Sequence, residues 1–236
     1  MNMGAKCSKA ACAKTLLRRP RQGTENKKND RAFYGVAMTL RQRSLAWAIA
    51  GLIACGAAPA GAQTATTVAG VAFEPRVTLA DVPLALNGAG VRYKAVFKVY
   101  AAGLYLERRA GTLQDVVALP GPKRLSITML RDIDSTELGK LFARGIEDNL
   151  DKAAFSRLAP GVLRMGEIFA AHRRLAAGDR FTVDWLPGTG TVITVKGVPQ
   201  GEPFREPEFF DALMGIWLGP QPADWKLRDA LLGKAG

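Results

Sequence analysis

Apolar and polar positions alternate with period two through the middle of this chain. From Asn87 to Glu107, NGAGVRYKAVFKVYAAGLYLE, the alternation predicts one long strand. On it Tyr93, Ala95, Phe97, Val99 and Ala101 point one way, and Arg92, Lys94, Val96, Lys98 and Tyr100 the other. A half-buried strand whose second face meets water would give this pattern. So would a cleft on that face, where a guanidinium and a phenol grip a carboxylate. Pro75 or Pro83, Asn87-Gly88 and Gly103 mark breaks between extended segments. A further strand, KRLSITMLRD, sets Leu125, Ile127 and Met129 against Ser126, Thr128 and Leu130.

The period then changes. Asp134 followed by Glu137 resembles a capping box and opens a helix through DSTELGKLFARGIEDNLDKAAFSRL. Leu138, Leu141, Phe142, Gly145, Ile146 and Asn149 share one face of it, and Lys140, Arg144, Glu147, Asp148 and Asp151 lie on a solvated one. Pro160-Gly161 is expected to break this helix and VLRMGEIFAAHRRL to begin another, with Leu163, Ile168 and Phe169 as core candidates. RFTVDWLPGTGTVITVKG reads as a β-hairpin turning at Pro187–Gly190. Two short helices finish the chain, one from Pro207 to Gly219 and one from Pro222 to Gly233. Segregated strands and helices predict an α+β domain, an antiparallel sheet covered on one face by a layer of helices.

Charge is unevenly spread. Of 33 Lys+Arg and 21 Asp+Glu, residues 1–62 hold 11 and 2, leaving 22 against 19 for residues 63–236. The folded part is thus nearly balanced and carries no electrostatic footprint for a phosphate backbone, and the tryptophans are too scattered for base stacking, so nucleic acid is not an expected partner. The basic excess belongs to a targeting pattern. Arg41 and Arg43 precede an apolar run from Leu45 to Ala54, followed by Ala60-Gly61-Ala62, as in a secretory signal. The run is short and Ala/Gly-rich for a spanning helix. The expected organisation is a disordered extension or mis-assigned start over 1–37, a signal peptide over 38–62, and one domain over 63–236 of a periplasmic or secreted protein. Leu52-Ile53-Ala54-Cys55 also resembles a lipobox, so a lipoprotein anchored at Cys55 stays open, and membrane contact is expected only through these segments.

Little conventional catalytic equipment is visible. Cys7, Cys12 and Cys55 all precede the expected mature start, so the domain has no thiol, and it has one histidine, His172, beside Arg173 and Arg174. Positive neighbours disfavour a protonated imidazole, and one imidazole without clustered carboxylates makes no metal site. Neither a metal nor a cofactor is expected. GTGTVI joins two strands rather than a strand and a helix, so its glycines serve a turn, not a phosphate.

GAGVR, FKVYAAGLYLE, LGKLFARGIEDN and EPEFFDALMGIWLGPQPADWKLRDALLG together resemble the chalcone isomerase family, in its bacterial chalcone isomerase-like branch. The resemblance runs from about Val68 to Lys234 and implies an open-faced β-sandwich, a large antiparallel sheet with a helical layer. It matches Arg92 to the arginine that promotes cyclisation in the plant isomerases and pairs with a carboxylate in their fatty-acid-binding relatives. Tyr100 stands where plant isomerases have threonine and is similar to those relatives. The plant Tyr, Lys and Asn of the helix fall on Phe142, Gly145 and Asn149, so two of the three are replaced. Stereoselective ring closure needs preorganised donors where charge develops, and this site has shed part of them.

Together with the targeting pattern, the resemblance implies an exported protein that is non-catalytic or weakly catalytic. It would bind a small organic anion such as a fatty acid through Arg92, Tyr100, Phe142, Gly145 and Asn149. Two other functions fit the same residues: an isomerase of the intramolecular lyase class acting through Arg92, and an envelope interaction protein with a vestigial cleft.

Overall fold

The computed structural model describes residues 64–234. The expected extension over 1–37, the signal peptide over 38–62 and all three cysteines lie outside the described residues. In chain order the elements are β1 (Thr66–Val68), β2 (Val71–Phe73), β3 (Arg76–Leu79), β4 (Val82–Lys94), β5 (Phe97–Leu106), α1 (Leu113–Ala118), β6 (Lys123–Met129), β7 (Ile133–Asp134), α2 (Ser135–Glu147) and α3 (Lys152–Ala170). They continue with β8 (Arg174–Leu175), β9 (Arg180–Leu186), β10 (Gly190–Val195), β11 (Val198–Pro199), α4 (Pro207–Leu218) and α5 (Trp225–Leu231). Seven strands form one antiparallel sheet in the order β11-β10-β9-β6-β5-β4-β3, and β1–β2 and β7–β8 pair separately.

The predicted α+β class with a helix-covered antiparallel sheet is the architecture found. Alternation explains the strands: Leu125 and Ile127 of β6, Phe181 and Val183 of β9, and Ile193 and Val195 of β10 turn into the core beneath Phe142, Ile146, Met165, Phe169, Phe209 and Trp217 of the helices. A smaller cluster of Phe73, Leu79, Leu84, Ala101 and Tyr105 lies on the other face. There β2 packs against the sheet where Gly103 has no side chain: a Cβ would come 2.5 Å from the Phe73 ring. The second face is therefore partly roofed, and β5 is buried on both sides from Val99 to Leu106.

The long strand expected over 87–107 is two strands. The chain reverses at Ala95-Val96, so that Lys94 faces Phe97. Ala95 supplies the positive φ, 54°, that such a tight turn requires, a conformation usually left to Gly, Asn or Asp. With no such residue between Lys94 and Phe97, the reversal leaves no mark in the sequence. Conversely, Pro83, Asn87-Gly88 and Gly103 lie inside strands. Pro83 is tolerated because β5 joins β4 only from Ala85 onward. Asn87 is the extra residue of a bulge. Its side-chain amide donates to the carbonyls of Ala110 (3.0 Å) and Leu231 (2.7 Å) and accepts from the Ala110 N–H (2.9 Å).

On the helical side, Asp134 caps α2 by accepting from the Glu137 N–H at 3.0 Å, as expected. The helix then stops at Glu147, and Asp151 caps α3 by accepting from the Ala154 N–H. Pro160-Gly161 does not end a helix but lies within α3. One lost hydrogen bond is offset by packing, since Gly161 leaves room for Phe209, whose ring would be 2.9 Å from a Cβ there. That contact sets the rotation of α3, so Val162, Met165 and Phe169 are buried and Leu163 is exposed. The α5 helix starts at Trp225 with Asp224 as its cap rather than at Pro222, and α1 had no counterpart in the pattern. Among the described residues no helix is long and apolar enough to cross a membrane.

Candidate functional site

Beyond Tyr100, β5 has no further pairing with β6, so the end of the β4–β5 hairpin runs on as a two-stranded ribbon. A cleft of about 620 Å³ opens between this ribbon, α2 and the segment joining α4 to α5. Its walls are largely apolar, from Val99 and Tyr100 on β5, Leu138, Leu141 and Phe142 on α2, and Ile216 on α4. Charged side chains stand around the opening, among them Arg92, Lys94, Arg131 and Arg144.

Arg92 and Tyr100 meet for a reason other than the one the alternation suggested. They are not neighbours along one strand but cross-strand partners, and a bulge makes them so. Tyr93 pairs with Lys98 and Arg92 with Tyr100, leaving Val99 as the extra residue. Residues directly opposite in an antiparallel pair share a face, which here lines the cleft.

Tyr100 is buried, and its hydroxyl accepts a hydrogen bond from Trp217 Nε1 at 2.9 Å. Burial pushes the phenol up to about 12, against the opposing pull of the Trp217 N–H and the Arg92 charge. The hydroxyl thus keeps its proton at neutral pH. Because Trp217 takes an acceptor position, that proton is available to another oxygen.

Arg92 is anchored rather than free. Its Nη1 donates to the Tyr93 carbonyl and lies 3.7 Å from Asp224 Oδ2. Asp224 is itself fixed, because it accepts from the Tyr93 N–H at 2.9 Å and, as the α5 cap, from the N–H groups of Lys226 (2.8 Å) and Leu227 (3.2 Å). Two glycines on β4 place this helix. A Cβ on Gly88 would strike the Ala230 carbonyl, and one on Gly90 would lie 2.7 Å from the Ala230 Cβ. Beyond these Nη1 contacts the guanidinium makes only a weak hydrogen bond with the Tyr100 hydroxyl, so it retains donors for an incoming anion.

The three helix positions separate. Phe142 forms a wall within an aromatic cluster, with ring centroids 5.4 Å from Trp217, 5.3 Å from Phe169 and 5.8 Å from Phe181. Gly145 lets α4 approach α2, since a Cβ would sit 3.1 Å from Ile216 Cγ2, and it borders the cleft. Asn149 is not among the lining residues. Lying beyond the end of α2, it donates to the carbonyls of Gly145 (2.8 Å) and Gln221 (2.9 Å) and accepts from the Gln221 N–H (2.9 Å). Its amide is occupied in tying α2 to the α4–α5 connection. His172 is outside the cleft lining, with Nε2 3.1 Å from Gln200 Oε1.

Sequence reasoning missed Trp217 and Asp224. Asp224 left a signal, an N-cap aspartate just before Trp225, which a helix started at Pro222 conceals. Trp217 left none, because its partner lies 117 residues away.

The fold has a known counterpart. No curated protein matches the chain. The crystal structure of a fatty-acid-binding protein from Arabidopsis thaliana superposes with a TM-score of 0.57 at 16% sequence identity, covering 69% of this chain and 92% of that one. At that identity the likeness speaks for the fold. A family model described as chalcone isomerase-like matches residues 65–233, most of the chain, and the chain belongs to that family.

Proposed function

We propose that the protein binds a long-chain carboxylate, a fatty acid foremost, with its tail in the apolar cleft and its head at Arg92 and Tyr100. The observation that carries this reading is the meeting of a guanidinium and a proton-bearing phenol at one end of walls that are otherwise mostly apolar. A carboxylate accepts charge-assisted hydrogen bonds from the free nitrogens of Arg92 and one from the Tyr100 hydroxyl. Each methylene buried between Leu138, Phe142 and Ile216 adds about 0.8 kcal/mol. The volume falls in the range of small-molecule sites. The fatty-acid ligand in the name of the Arabidopsis neighbour supports the same substrate class.

Native mass spectrometry of the chain purified without delipidation tests this. The expected result is a co-purifying fatty acid that Arg92→Ala loses and Tyr100→Phe holds more weakly. An empty protein that takes up no added fatty acid overturns it, and turnover abolished by Arg92→Ala would hand the cleft to the intramolecular-lyase alternative. The same proposal has the domain exported by residues 38–62 and acting in the periplasm. Intact-mass measurement of the mature chain distinguishes cleavage after Ala62 from lipidation at Cys55.

A further inference from the structure

Seven large hydrophobic side chains are exposed among the described residues, and five of them belong to one region. Phe97 and Leu141 border the cleft beside Arg92 and Lys94. Tyr93 and Trp225 border a shallow depression on the other side of Arg92, together with Ala95 and Lys226. Val96, at the apex of the ribbon between them, is 83% exposed, the most of the seven. Turn apices normally carry small or polar residues, so an exposed β-branched side chain beside a left-handed alanine gains nothing from this fold alone.

The exposed charges on the ribbon and the first turn of α5 are cationic, whereas acids lie along the cleft wall behind them. From Arg92 to Lys98 the ribbon holds Arg92, Lys94 and Lys98 and no acid, and Lys226 adds a further cation on α5. Lys94, Lys98, Lys226 and Arg131 form no ion pair among the described residues. Of the acids lining the cleft or the depression, Asp224 is held by Arg92, Asp132 by Arg174 at 2.9 Å, Glu137 by Lys140 at 2.8 Å and Asp134 by the α2 backbone, while Asp148, at the C-terminal end of α2, has no partner among the described residues. Arg131 lies over the Phe97 ring at 5.2 Å and Arg228 over Trp225 at 4.2 Å, so both rings are flanked by cations.

We propose that the β4–β5 turn and the first turn of α5 form a rim that docks on an anionic lipid surface and seats the mouth of the cleft on it. Val96, Phe97 and Trp225 enter the headgroup region, where apolar and aromatic side chains partition favourably. Lys94, Lys98 and Lys226 reach lipid phosphates while their stems stay among the acyl ends. Each basic side chain near such a surface strengthens partitioning roughly fivefold. The surface chemistry stands without any ligand in the cleft, and only the purpose of the placement rests on the carboxylate reading.

Flotation of the full chain with phosphatidylcholine vesicles, and with vesicles that also contain phosphatidylglycerol, tests the rim. Residues 1–62 are basic as well, so the comparison is between full chains that differ only in the rim. Binding to the anionic vesicles is expected to fall roughly tenfold or more in Val96→Asp/Lys98→Glu and to weaken with added salt. A second readout belongs to the rim alone: bromine-labelled acyl chains should quench a fluorescence component present in the wild type and missing from Trp225→Phe. Unchanged binding of the double variant, equal binding to both vesicles, or an unquenched Trp225 overturns the proposal. So does a lipid-free dimer that Val96→Asp dissociates, which would assign the patch to a second copy of the chain. Neither altered residue lines the cleft, so fatty-acid uptake in solution should be unchanged. Loss of uptake in the wild type with vesicle binding intact sinks the cleft reading and leaves the rim standing.

Discussion

At the position where a ligand carboxylate would meet Arg92, the chain already supplies Asp224. The pair is 3.7 Å apart and partly exposed, so its attraction is about 1 kcal/mol or less, enough to compete with a ligand without excluding it. Asp224→Asn keeps one oxygen to cap α5 and removes the competing charge, at the cost of the acceptor that its second oxygen gives the Tyr93 N–H. A long-chain carboxylate is then expected to bind roughly threefold to fivefold tighter by calorimetric titration. Weaker binding would mean that Asp224 shapes the site rather than competes for it. Tyr100 makes a different prediction. Burial raises its phenol from 10.0 to about 12, so the folded chain holds the proton more tightly than the unfolded chain does. The stabilisation this represents is whole below pH 10 and is lost as the pH rises through 12, about 3 kcal/mol across the window. Tyr100→Phe should therefore be less stable at pH 7 by about 1–2 kcal/mol, because Trp217 Nε1 loses its acceptor, yet lose less between pH 10 and 12. Denaturant titrations of both proteins at several alkaline pH values would check this, and parallel losses would refute it.

The element that assembles the site is α5, which rests on the glycines of β4 and brings its capping aspartate to Arg92. Gly88→Ala places a methyl group against the Ala230 carbonyl, where only backbone can yield. A loss of about 3 kcal/mol is expected, together with weakened ligand binding as α5 and Asp224 shift. If the variant melts like the wild type, α5 docks elsewhere than the structure has it. This dependence marks the limit of what the sequence reveals. Elements whose cause is local were legible: the Asp134 cap, the Pro187–Gly190 turn and the alternation of β6 and β9 each follow from neighbouring residues. Elements whose cause is tertiary were not. A turn at Ala95-Val96 has no turn residue, Pro160 stays inside α3 because Gly161 admits Phe209, and Asn87 mimics a turn while serving a bulge that ties β4 to α5. Arg92 and Tyr100 came together in the sequence reading by an alternation that the hairpin breaks, and they meet in the structure through the bulge at Val99. Asn149 pointed toward the cleft by helical period, but α2 ends before it and its amide is taken up by the α4–α5 connection.

For the whole molecule, the large core beneath the helices and the smaller one beneath β1–β2 fix the sheet on both faces, while the cleft sits where the β4–β5 ribbon outruns its neighbour. A ligand bound there adds to the stability of everything around it. At a free concentration one hundred times its Kd, it contributes about 2.7 kcal/mol. For a domain of this size that is a rise in Tm of about 5–10 °C. Head and tail act through different parts of the cleft, so they can be separated in one series of saturated fatty acids of increasing length. Each added methylene should tighten binding about fourfold until the apolar walls are filled, after which the gain should stop. Arg92→Ala should lower affinity for every member of the series by a similar factor and leave the dependence on length unchanged, because it removes a contact to the head alone. If the length dependence collapses along with affinity, the arginine holds the cleft open rather than holding the carboxylate. If no member shifts the melting temperature of the wild type, the cleft is not a lipid site.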